Sequence, residues 1–476
     1  MREQPLFLAG EWQEGAERVE IRAPWDGALL GIAAFGDEAT IDRALAAGQA
    51  AEATFARLPT HERRSLLSRI ARGIAARGDE LTALIRDEAG KPVTVARGEV
   101  TRAVQTFEFA AEETWRRDEA MDLGAVPTGA GRFGVIRSFP VGLVAAIAPF
   151  NFPLNLVAHK LAPAFAAGCP VVLKPAEQTP LTALLLAEIC AEAGLPKGGL
   201  SVIPAHRGAA GALVEDPRVK LLSFTGSPAV GWAMKARAGK KRVVLELGGD
   251  AAAIVHEDAD PVQAARRVGF GAYVYAGQVC ISVQRVFVHA RVYPAFQEAL
   301  LAWLEEELAV GDPADPKVLC GPLIDDKSAT RVLAWIDEAQ AKGARLLRGG
   351  PREGNLVSPA LLEGMPAGAR LSSEEAFGPV ASLEPYDDLE QAIRRVNDSA
   401  FGLQAGVFTD SLRDLWRCYE GLEVGGVIHN DVPVFRVDHM PYGGVKGSGF
   451  GREGVPFAVD DYCEKRLLAL KPAGPA

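Results

Sequence analysis

The chain has 476 residues, of which 48% are hydrophobic and 24% charged, and its formal net charge is −10. This length exceeds what one simple core accommodates and predicts two or three domains. The acidic balance argues against a nucleic-acid partner. No run approaches the ~18–20 apolar residues that a membrane helix needs, and the N-terminal residues do not resemble a secretory signal. We therefore expect a cytoplasmic globular protein that binds neither nucleic acid nor membranes.

The six cysteines are spread along the chain, with no CxxC pair and no accompanying histidine cluster. This spacing predicts neither a disulfide framework nor a zinc site, and no bound metal is expected. Because unpaired cysteine is among the most buried residue types, five of the six are expected to pack in cores. The exception is Cys280, in 275-YAGQVCISVQR-285. It is a candidate nucleophile if the rest of the chain supplies groups that activate it.

Helical spacing of apolar residues begins early, at 38–56 and 60–77. From about residue 140, short apolar runs alternate with longer amphipathic stretches, which predicts a parallel sheet with helices on both faces. The predicted strands are 142–148, 170–174, 200–203, 220–224 and 242–247, and the predicted helices are 153–167, 180–193, 208–215 and one starting at 227. A second α/β segment follows from about 250 to 455. The strip 119–135 and the tail at 460–472 suggest a small strand pair.

Polar residues follow several of these strands, where parallel strands face a ligand crevice. Asn151, in 149-PFNFP-153, has an amide suited to an oxyanion hole, although it is equally suited to an Asx turn. Lys174 and Glu177 have the chemistry to bind ribose hydroxyls, or they are two solvated loop charges. Glu246, in 245-LELGGD-250, ends an apolar strand, where desolvation would raise its pKa toward that of a general base. The alternative for Glu246 is an ordinary surface glutamate.

Residues 224-FTGSPAVGWAMKARAG-239 join a strand to a helix. Ser227 is a good N-cap and Pro228 fits the first helical position. The loop at Gly226 and Ser227 would present free N–H groups to a pyrophosphate, although an ordinary βα turn has the same pattern. The literal GxGxxG at 449–454 has no strand before it and no βαβ unit around it, so we interpret it as a glycine-rich loop.

Taken together, PFNFP, KPAE, FTGS, ELGG, GQVCIS, EEAFGPV and PYGGVKGSGFGREG resemble the motifs of the NAD(P)-dependent aldehyde dehydrogenase superfamily, in order and spacing, from 8-LAGEW-12 to the tail. The resemblance implies an α/β fold with a Rossmann-like NAD-binding domain, an α/β catalytic domain and a small β oligomerisation flap. The NAD-binding domain is expected at 1–118 and 141–248, and the catalytic domain at 249–458. The flap is expected at 119–140 and 459–476. The resemblance also implies a homodimer or homotetramer.

By the same resemblance, Cys280 is the nucleophile that attacks an aldehyde. Asn151 and the Cys280 N–H hold the oxyanion, and Glu246 activates the water that hydrolyses the thioester. The implied cofactor contacts are Pro149, Phe150, Lys174, Glu177, Gly226, Ser227, Leu247, Gly248, Glu375 and Phe377. A carboxylate at Glu177 would repel a 2′-phosphate, so NAD⁺ is predicted, with NADP⁺ as the alternative. Glu453 matches a second family glutamate that is sometimes linked to proton relay.

The substrate side of the resemblance rests on basic residues. Arg102, Arg436 and His439 stand where they could hold a small polar or anionic aldehyde such as lactaldehyde. The pattern looks closest to the lactaldehyde, phosphonoacetaldehyde and non-phosphorylating glyceraldehyde-3-phosphate branches. Alternatively, these residues are only ion-pair partners. Two other functions remain open: a CoA-acylating semialdehyde dehydrogenase, disfavoured by Glu246, and a non-catalytic protein on the same fold, disfavoured by the presence of Asn151, Glu246 and Cys280 together.

Overall fold

The computed structural model describes residues 2–115 and 118–472, so the parts of the domain and flap predictions at 1, 116–117 and 473–476 lie outside it. The helices are α1 (Glu38–Ala56), α2 (Thr60–Ala76), α3 (Gly78–Ala89), α4 (Val93–Glu113), α5 (Asn155–Ala167), α6 (Pro180–Glu192), α7 (Gly211–Glu215), α8 (Pro228–Arg237), α9 (Pro261–Tyr273), α10 (Tyr293–Glu306), α11 (Asp326–Ala341), α12 (Arg370–Ser373), α13 (Leu389–Asn397), α14 (Leu412–Gly421) and α15 (Val455–Asp461). None of these described helices is both long and apolar enough to cross a membrane.

The strands are β1 (Arg2–Gln4), β2 (Leu6–Leu8), β3 (Glu11–Gln13), β4 (Glu17–Arg22), β5 (Leu29–Phe35), β6 (Glu119–Asp122), β7 (Phe133–Pro140), β8 (Val144–Ile147), β9 (Val171–Lys174), β10 (Leu200–Val202), β11 (Leu221–Thr225), β12 (Arg242–Glu246), β13 (Ala252–Val255), β14 (Arg285–His289), β15 (Arg345–Arg348), β16 (Arg352–Glu353), β17 (Leu356–Val357), β18 (Ala360–Glu363), β19 (Val380–Tyr386), β20 (Phe401–Gly402), β21 (Gln404–Phe408), β22 (Gly426–His429), β23 (Val445–Lys446), β24 (Gly449–Phe450) and β25 (Cys463–Leu470). The five strands predicted between residues 142 and 247 are all present, within about two residues of the expected bounds.

The first sheet has the order β24-β12-β11-β8-β9-β10-β2-β3. Its five central strands are parallel, and their side chains are buried almost throughout, as their continuous apolar sequences predict. The chain runs from β8 outward to β9 and β10, and then returns to place β11 and β12 on the other side. The strand order therefore reverses beside β8, and a crevice is expected at the carboxyl ends of β8 and β11.

The second sheet has the order β15-β18-β19-β14-β13-β21-β22, and only the β15–β18 pair is antiparallel. Helices α9, α10 and α11 cover one face through an apolar cluster that includes Val268, Leu300 and Val332. Helices α13 and α14 cover the other face through Ile393 and Cys418. The α/β fold class with two such units is confirmed.

Residues 119–140 and the tail form a three-stranded antiparallel sheet in the order β25-β7-β6. This places the predicted flap segments together. One late segment crosses back to the first unit: β24 pairs with β12 at the sheet edge, and Val455, Ala458 and Val459 of α15 join the core of that unit. The glycine-rich loop at 449–454 therefore lies beside the carboxyl end of β12, where Glu246 is located.

A left-handed turn precedes Cys280. Tyr275, Ala276 and Gly277 have φ values of 52°, 52° and 68°, a region that disfavours side chains and is retained only where the surroundings enforce it. The Tyr275 N–H donates to Leu319 O at 2.9 Å, and its hydroxyl donates to Ala89 O at 3.0 Å. A Cβ at Gly277 would stand 2.2 Å from the carbonyl oxygen of Gly378. The loop that carries Cys280 is thus fixed by its surroundings.

The loop that carries Asn151 is fixed by a buried ion pair. Glu99 of α4 accepts hydrogen bonds from the N–H groups of Leu154 and Asn155, at 2.9 and 3.0 Å, and thereby caps α5. It is also paired with Lys91, whose ammonium lies 3.6 Å from the centroid of the Phe152 ring. Burial lowers the pKa of Lys91 to about 8, although the Glu99 charge acts in the opposite direction.

Replacing Glu99 is expected to destabilise the first unit strongly. Glu99→Ala leaves a buried ammonium without its carboxylate and removes the acceptor for two N–H groups, so the free energy of unfolding should fall by about 3–5 kcal/mol. Denaturant unfolding followed by circular dichroism measures this change. A matched control is Asp79→Ala, which removes the exposed partner of Arg97 and should cost less than about 1 kcal/mol. Similar losses in the two variants would contradict a structural role for the buried pair.

Candidate active site

Five of the six cysteines are buried, and Cys280 is partly exposed. Its Sγ lies 2.9 Å from the hydroxyl oxygen of Tyr442, and its N–H has no hydrogen-bond partner among the described residues. The Asn151 side chain is buried nearby and donates from Nδ2 to the carbonyl oxygen of Gln278 at 2.9 Å. Gln278 is itself anchored, because its Nε2 donates to Pro322 O at 3.1 Å. The structure therefore holds Asn151 against the Cys280 loop.

Glu246 is almost completely buried, and neither of its carboxylate oxygens has a hydrogen-bond partner among the described residues. Burial, reinforced by the charge of Glu453, raises its pKa well above the usual range. Lys160 and Arg436 oppose that shift through their charges. A buried, unpaired carboxyl group with a raised pKa has the properties of a general base that operates near neutral pH.

Glu453, in the glycine-rich loop, is the anionic partner in this group. Its Oε2 accepts from Arg436 Nη2 at 3.0 Å, and its Oε1 lies 3.5 Å from Lys160 Nζ. Burial acts to raise the pKa of Glu453, but the two cations outweigh burial and lower it. Lys160 also donates to the hydroxyl of Thr225 at 2.7 Å, at the carboxyl end of β11. The two glutamates therefore differ in charge: Glu453 is ionised, and Glu246 resists ionisation.

Glu375 and Phe377 meet the end of β12. Oε1 of Glu375 accepts from the Gly249 N–H at 3.1 Å, and a Cβ at Gly248 would stand 2.2 Å from Oε2, so only glycine leaves room for this carboxylate. Burial raises the pKa of Glu375 to about 7. The ring of Phe377 packs edge-on against Phe150 at 5.9 Å between centroids. Two motifs that lie far apart in the sequence thus form one wall of the crevice.

Lys174 and Glu177 lie together at the end of β9. Lys174 is buried, and burial lowers its pKa. Glu177 Oε2 lies 3.0 Å from His206 Nδ1, while its Oε1 is buried and has no hydrogen-bond partner among the described residues. The other ring nitrogen of His206 is 3.2 Å from Glu17, and the hydrogen bond with Glu177 raises the pKa of His206. Glu177 Oε1 lies 4.0 Å from the exposed Arg207. An acceptor that is free of hydrogen bonds beside a buried ammonium fits a ribose with its two hydroxyls.

The N-terminus of α8 completes the fit to a dinucleotide. The helix begins at Pro228, with Ser227 in extended backbone at the N-cap position and Gly239 at φ 65° just beyond its end, as the sequence predicts. The Ser227 side chain makes no capping hydrogen bond, so it does not close the helix N-terminus. A free N-terminus near the strand-order reversal suits an anionic group such as a pyrophosphate.

The three basic residues predicted on the substrate side differ in accessibility. Arg102 forms a two-pronged ion pair with Asp438, at 3.1 Å from Nε and 2.7 Å from Nη2, and its side chain remains 26% exposed. No described residue accepts a hydrogen bond from its third nitrogen, Nη1. Arg436 is buried against Glu453 and lies over the Tyr442 ring. His439 is exposed and packs on Phe109, with the ring centroids 4.8 Å apart.

Asp438 connects this loop to two helices. Besides Arg102, its Oδ1 receives Asn155 Nδ2 at 3.1 Å and lies 2.8 Å from His159 Nε2. Burial acts to raise the pKa of Asp438, but His159 and Arg102 hold it far below the usual range. Burial and the nearby Arg436 lower the pKa of His159. Asp438 is therefore an ionised anchor that fixes the direction of the Arg102 side chain.

The chain matches a known protein family over almost its whole length. The model of the aldehyde dehydrogenase family matches residues 12–468 of the chain. The chain belongs to the aldehyde dehydrogenase family. It is 41% identical over 468 residues to a 3-sulfolactaldehyde dehydrogenase of Priestia aryabhattai, which covers 98% of this chain and 97% of that relative. As a member of this family, the chain is an NAD(P)-dependent oxidoreductase.

Two solved aldehyde dehydrogenase structures are also similar. Aldehyde dehydrogenase 21 from Physcomitrella patens, in complex with the reaction product succinate, has a TM-score of 0.97 and 40% identity, covering 100% of this chain and 99% of that chain. NADP-dependent glyceraldehyde-3-phosphate dehydrogenase from Bacillus halodurans C-125, complexed with NADP, has a TM-score of 0.96 and 35% identity, covering 99% and 100%. The fold predicted from the motifs is confirmed over the whole described chain.

Sequence reasoning missed several residues of this candidate site. Lys160 and His159 are buried in the middle of α5, whose sequence NLVAHKLAPAFAA is otherwise almost entirely apolar. Charged residues in such a helix are rarely buried without a partner, so this pattern carried a usable signal. Asp438 and His206 had no such signal, because each lies in a polar loop and its partners are remote in sequence.

Proposed function

We propose that this chain oxidises a small anionic aldehyde to its carboxylate with NAD(P)⁺, through a thioester at Cys280. The observation that carries the proposal is the grouping around one crevice of a partly accessible thiol, two oxyanion donors and an unpaired buried carboxyl group. Cys280 adds to the aldehyde carbon, and the oxygen that becomes negative accepts from Asn151 Nδ2 and the Cys280 N–H. To donate to the oxyanion, Asn151 Nδ2 gives up its hydrogen bond to the carbonyl oxygen of Gln278.

The dinucleotide, when bound, supplies the hydride acceptor. Lys174 and Glu177 hold its adenosine ribose, and the α8 N-terminus with Gly226 and Ser227 receives the pyrophosphate. Glu375 binds the second ribose, and Pro149, Phe150, Leu247, Gly248 and Phe377 line the crevice. Glu177 Oε1 accepts no hydrogen bond from a described residue and lies 4.0 Å from Arg207 Nε, so it is suited to accept from a ribose hydroxyl. The carboxylate would repel a 2′-phosphate, which favours NAD⁺ over NADP⁺. The thioester left on Cys280 is then hydrolysed.

Glu246 activates the hydrolytic water. A carboxylate in this buried position is a stronger base than one in solvent, because burial and Glu453 both disfavour its charge. Taking a proton from water therefore relieves an unfavourable buried charge. Lys160 and Arg436 keep Glu453 ionised, so the two glutamates do not compete for one proton.

Arg102 is the proposed anchor for the anionic end of the substrate. An apolar cluster that includes Val279, Ile281 and Tyr442 surrounds Cys280, and Phe152 packs on its edge. The guanidinium of Arg102 lies 6.0 Å from the Phe152 ring centroid. Asp438 orients that guanidinium but leaves Nη1 for a ligand. A short aldehyde lying over the apolar cluster would present its distal anion there, while the buried Arg436 supports Glu453 instead.

The relatives support this substrate class. Sulfolactaldehyde, succinate and glyceraldehyde-3-phosphate, in the names of the three similar proteins, carry a sulfonate, carboxylates and a phosphate. They share a charged group at short distance from the reacting carbon. The lactaldehyde named from the sequence lacks that charge, so an anionic analogue is the better candidate.

The catalytic assignment is tested by NADH or NADPH formation at 340 nm with a panel of anionic and neutral short aldehydes and both coenzymes. Wild-type protein should oxidise anionic members fastest, with NAD⁺ preferred.

Cys280→Ala should lose oxidation with every aldehyde while binding NAD⁺ normally. Glu246→Gln should give one rapid equivalent of NADH and then stop, because the thioester persists. Near-normal turnover in Cys280→Ala would refute the mechanism, and acyl-CoA formation on adding CoA would favour the acylating alternative.

Arg102→Met should discriminate among substrates. Loss of a charge-assisted contact worth roughly 1.5–3 kcal/mol should raise KM for anionic aldehydes about 10- to 100-fold and leave neutral aldehydes such as propanal nearly unaffected. Steady-state kinetics with matched charged and neutral aldehydes measures the split. Arg97→Met, on the same helix but paired with the exposed Asp79, is the control and should change neither. Equal losses for charged and neutral aldehydes would indicate that Arg102 is only structural.

We further propose that the chain forms a homodimer or a homotetramer through its strand edges. Within the described residues, β25 pairs only with β7, and β22 pairs only with β21. Leu467 and Leu468 of β25 are more than half exposed. Unpaired edge strands with apolar side chains favour association. Light scattering should give two or four times the chain mass of 50.5 kDa, and Leu467→Lys with Leu468→Lys should lower it. A monomeric wild-type protein would contradict this proposal.

A further inference from the structure

The partly exposed Cys280 is paired with the buried Tyr442 at the reacting atom. Tyr442 is 2% exposed, and its hydroxyl oxygen lies 2.9 Å from Sγ of Cys280. The guanidinium of Arg436 lies 3.7 Å from the centroid of the Tyr442 ring. The main chain of Tyr442 is bridged to Glu453, with the two N–H···O distances at 2.9 and 2.6 Å. The phenol is therefore fixed in position relative to the sulfur, both through its ring and through its backbone.

The surroundings of Cys280 require such a donor. Burial raises the pKa of the Cys280 thiol to about 12, and the hydrogen bond with Tyr442 is the largest influence in the opposite direction, followed by the charge of Arg436. No described histidine contacts Sγ, and Tyr442 is the one described side chain hydrogen-bonded to it. Without a donor, a thiolate at this position would be a poorly solvated anion in an apolar cluster.

Arg436 makes Tyr442 a better donor. A cation over an aromatic face draws electron density from the ring, which polarises the phenolic O–H. Burial raises the pKa of Tyr442 well above its usual value, so the phenol keeps its proton and donates rather than ionises. The buried Glu453 holds the guanidinium in place over the ring. The sulfur is thus connected to the ion pair through one aromatic ring.

We propose that Tyr442 is the residue that stabilises the Cys280 thiolate, by donating its phenolic O–H to Sγ while Arg436 polarises the ring. This inference rests on the proposed function, in which Cys280 is the nucleophile. When the thiol ionises, the S–H bond breaks, the electron pair stays on sulfur and the proton passes to solvent. The Tyr442 O–H then points at that pair. When sulfur adds to the aldehyde carbon, the pair becomes the C–S bond and the phenol is released from its acceptor.

The test is the pH dependence of alkylation at Cys280 in the full chain, with iodoacetamide as the probe and without coenzyme or aldehyde. The rate of alkylation of the Cys280 peptide is followed by mass spectrometry from pH 6 to 11. Below the midpoint this rate is proportional to the thiolate fraction, so a shift of the midpoint is read as an equal displacement of the rate profile along the pH axis. Tyr442→Phe keeps the ring under Arg436 and removes only the hydroxyl. Its alkylation midpoint should move upward by about one pH unit, which is about tenfold less thiolate at neutral pH. An unchanged midpoint would overturn the proposal.

Tyr273→Phe is the matched control. Tyr273, at the end of α9, is also fully buried and loses a comparable hydrogen bond, to Ala360 O at 3.0 Å, but its hydroxyl does not contact Sγ and it lies outside the left-handed turn. It should lower the midpoint of thermal unfolding without moving the alkylation midpoint. If both variants shift the alkylation midpoint equally, the effect is structural and the assignment of Tyr442 fails.

A second measurement avoids any folding defect of the phenylalanine variant. Site-specific replacement of Tyr442 by 3,5-difluorotyrosine keeps the shape and makes the phenol a stronger donor, so the alkylation midpoint should move downward. A midpoint that stays in place would overturn the proposal even if Tyr442→Phe does not fold. The outcomes are independent of the catalytic assignment: full aldehyde oxidation by Cys280→Ala would refute the proposed function, whereas the alkylation profile reports only on the thiolate.

Discussion

The buried ion pair between Arg436 and Glu453 is the constraint on which the candidate site depends. The pair links two points of the same segment, 430–454, within the protein interior. Lys160 of α5 provides the second cation that keeps Glu453 charged. Buried charges are costly, and removing one partner leaves the others uncompensated. The segment is therefore held in one arrangement, which places Glu246 beside Glu453 and a phenol beside Sγ.

Two features of the Cys280 loop act in opposite directions on reactivity. The left-handed turn at 275–277 and the buried Gln278 fix where the sulfur points, which favours a productive approach to a bound aldehyde. Burial, in contrast, disfavours the thiolate. A thiol that is well aimed but weakly ionised is protected from solvent oxidants and reacts fully only when its surroundings supply hydrogen-bond donors. This arrangement is consistent with a nucleophile that must remain intact between turnovers.

Sequence alone located the strand ends well and the charge network poorly. Asn151, Lys174 and Glu246 were predicted at strand ends and lie there in the structure, because apolar strands end visibly in the sequence. The ends of neighbouring parallel strands meet in one crevice. The contacts of Asp438 with α4 and α5 join residues more than 270 positions apart in sequence, and no local pattern encodes them. The segment 449–458, which was predicted as part of the second unit, packs on the first unit, and this contact also has no local signal. Its short β24 pairing gives almost no periodic signal.

The same contrast explains why Arg102 and Arg436 looked alike in the sequence and differ in the structure. Each is an arginine near a predicted substrate mouth, and each has a carboxylate partner. The Arg436 side chain is only 6% exposed and covers an aromatic ring, so it offers little accessible surface to a ligand. Arg102 is bound along one edge of its guanidinium and remains partly exposed along the other. A planar, forked cation held along one edge can present its remaining N–H groups to a second anion without losing the first. Substrate charge is therefore expected to be recognised at Arg102, while Arg436, in the proposed mechanism, acts through its contacts with Glu453 and Tyr442.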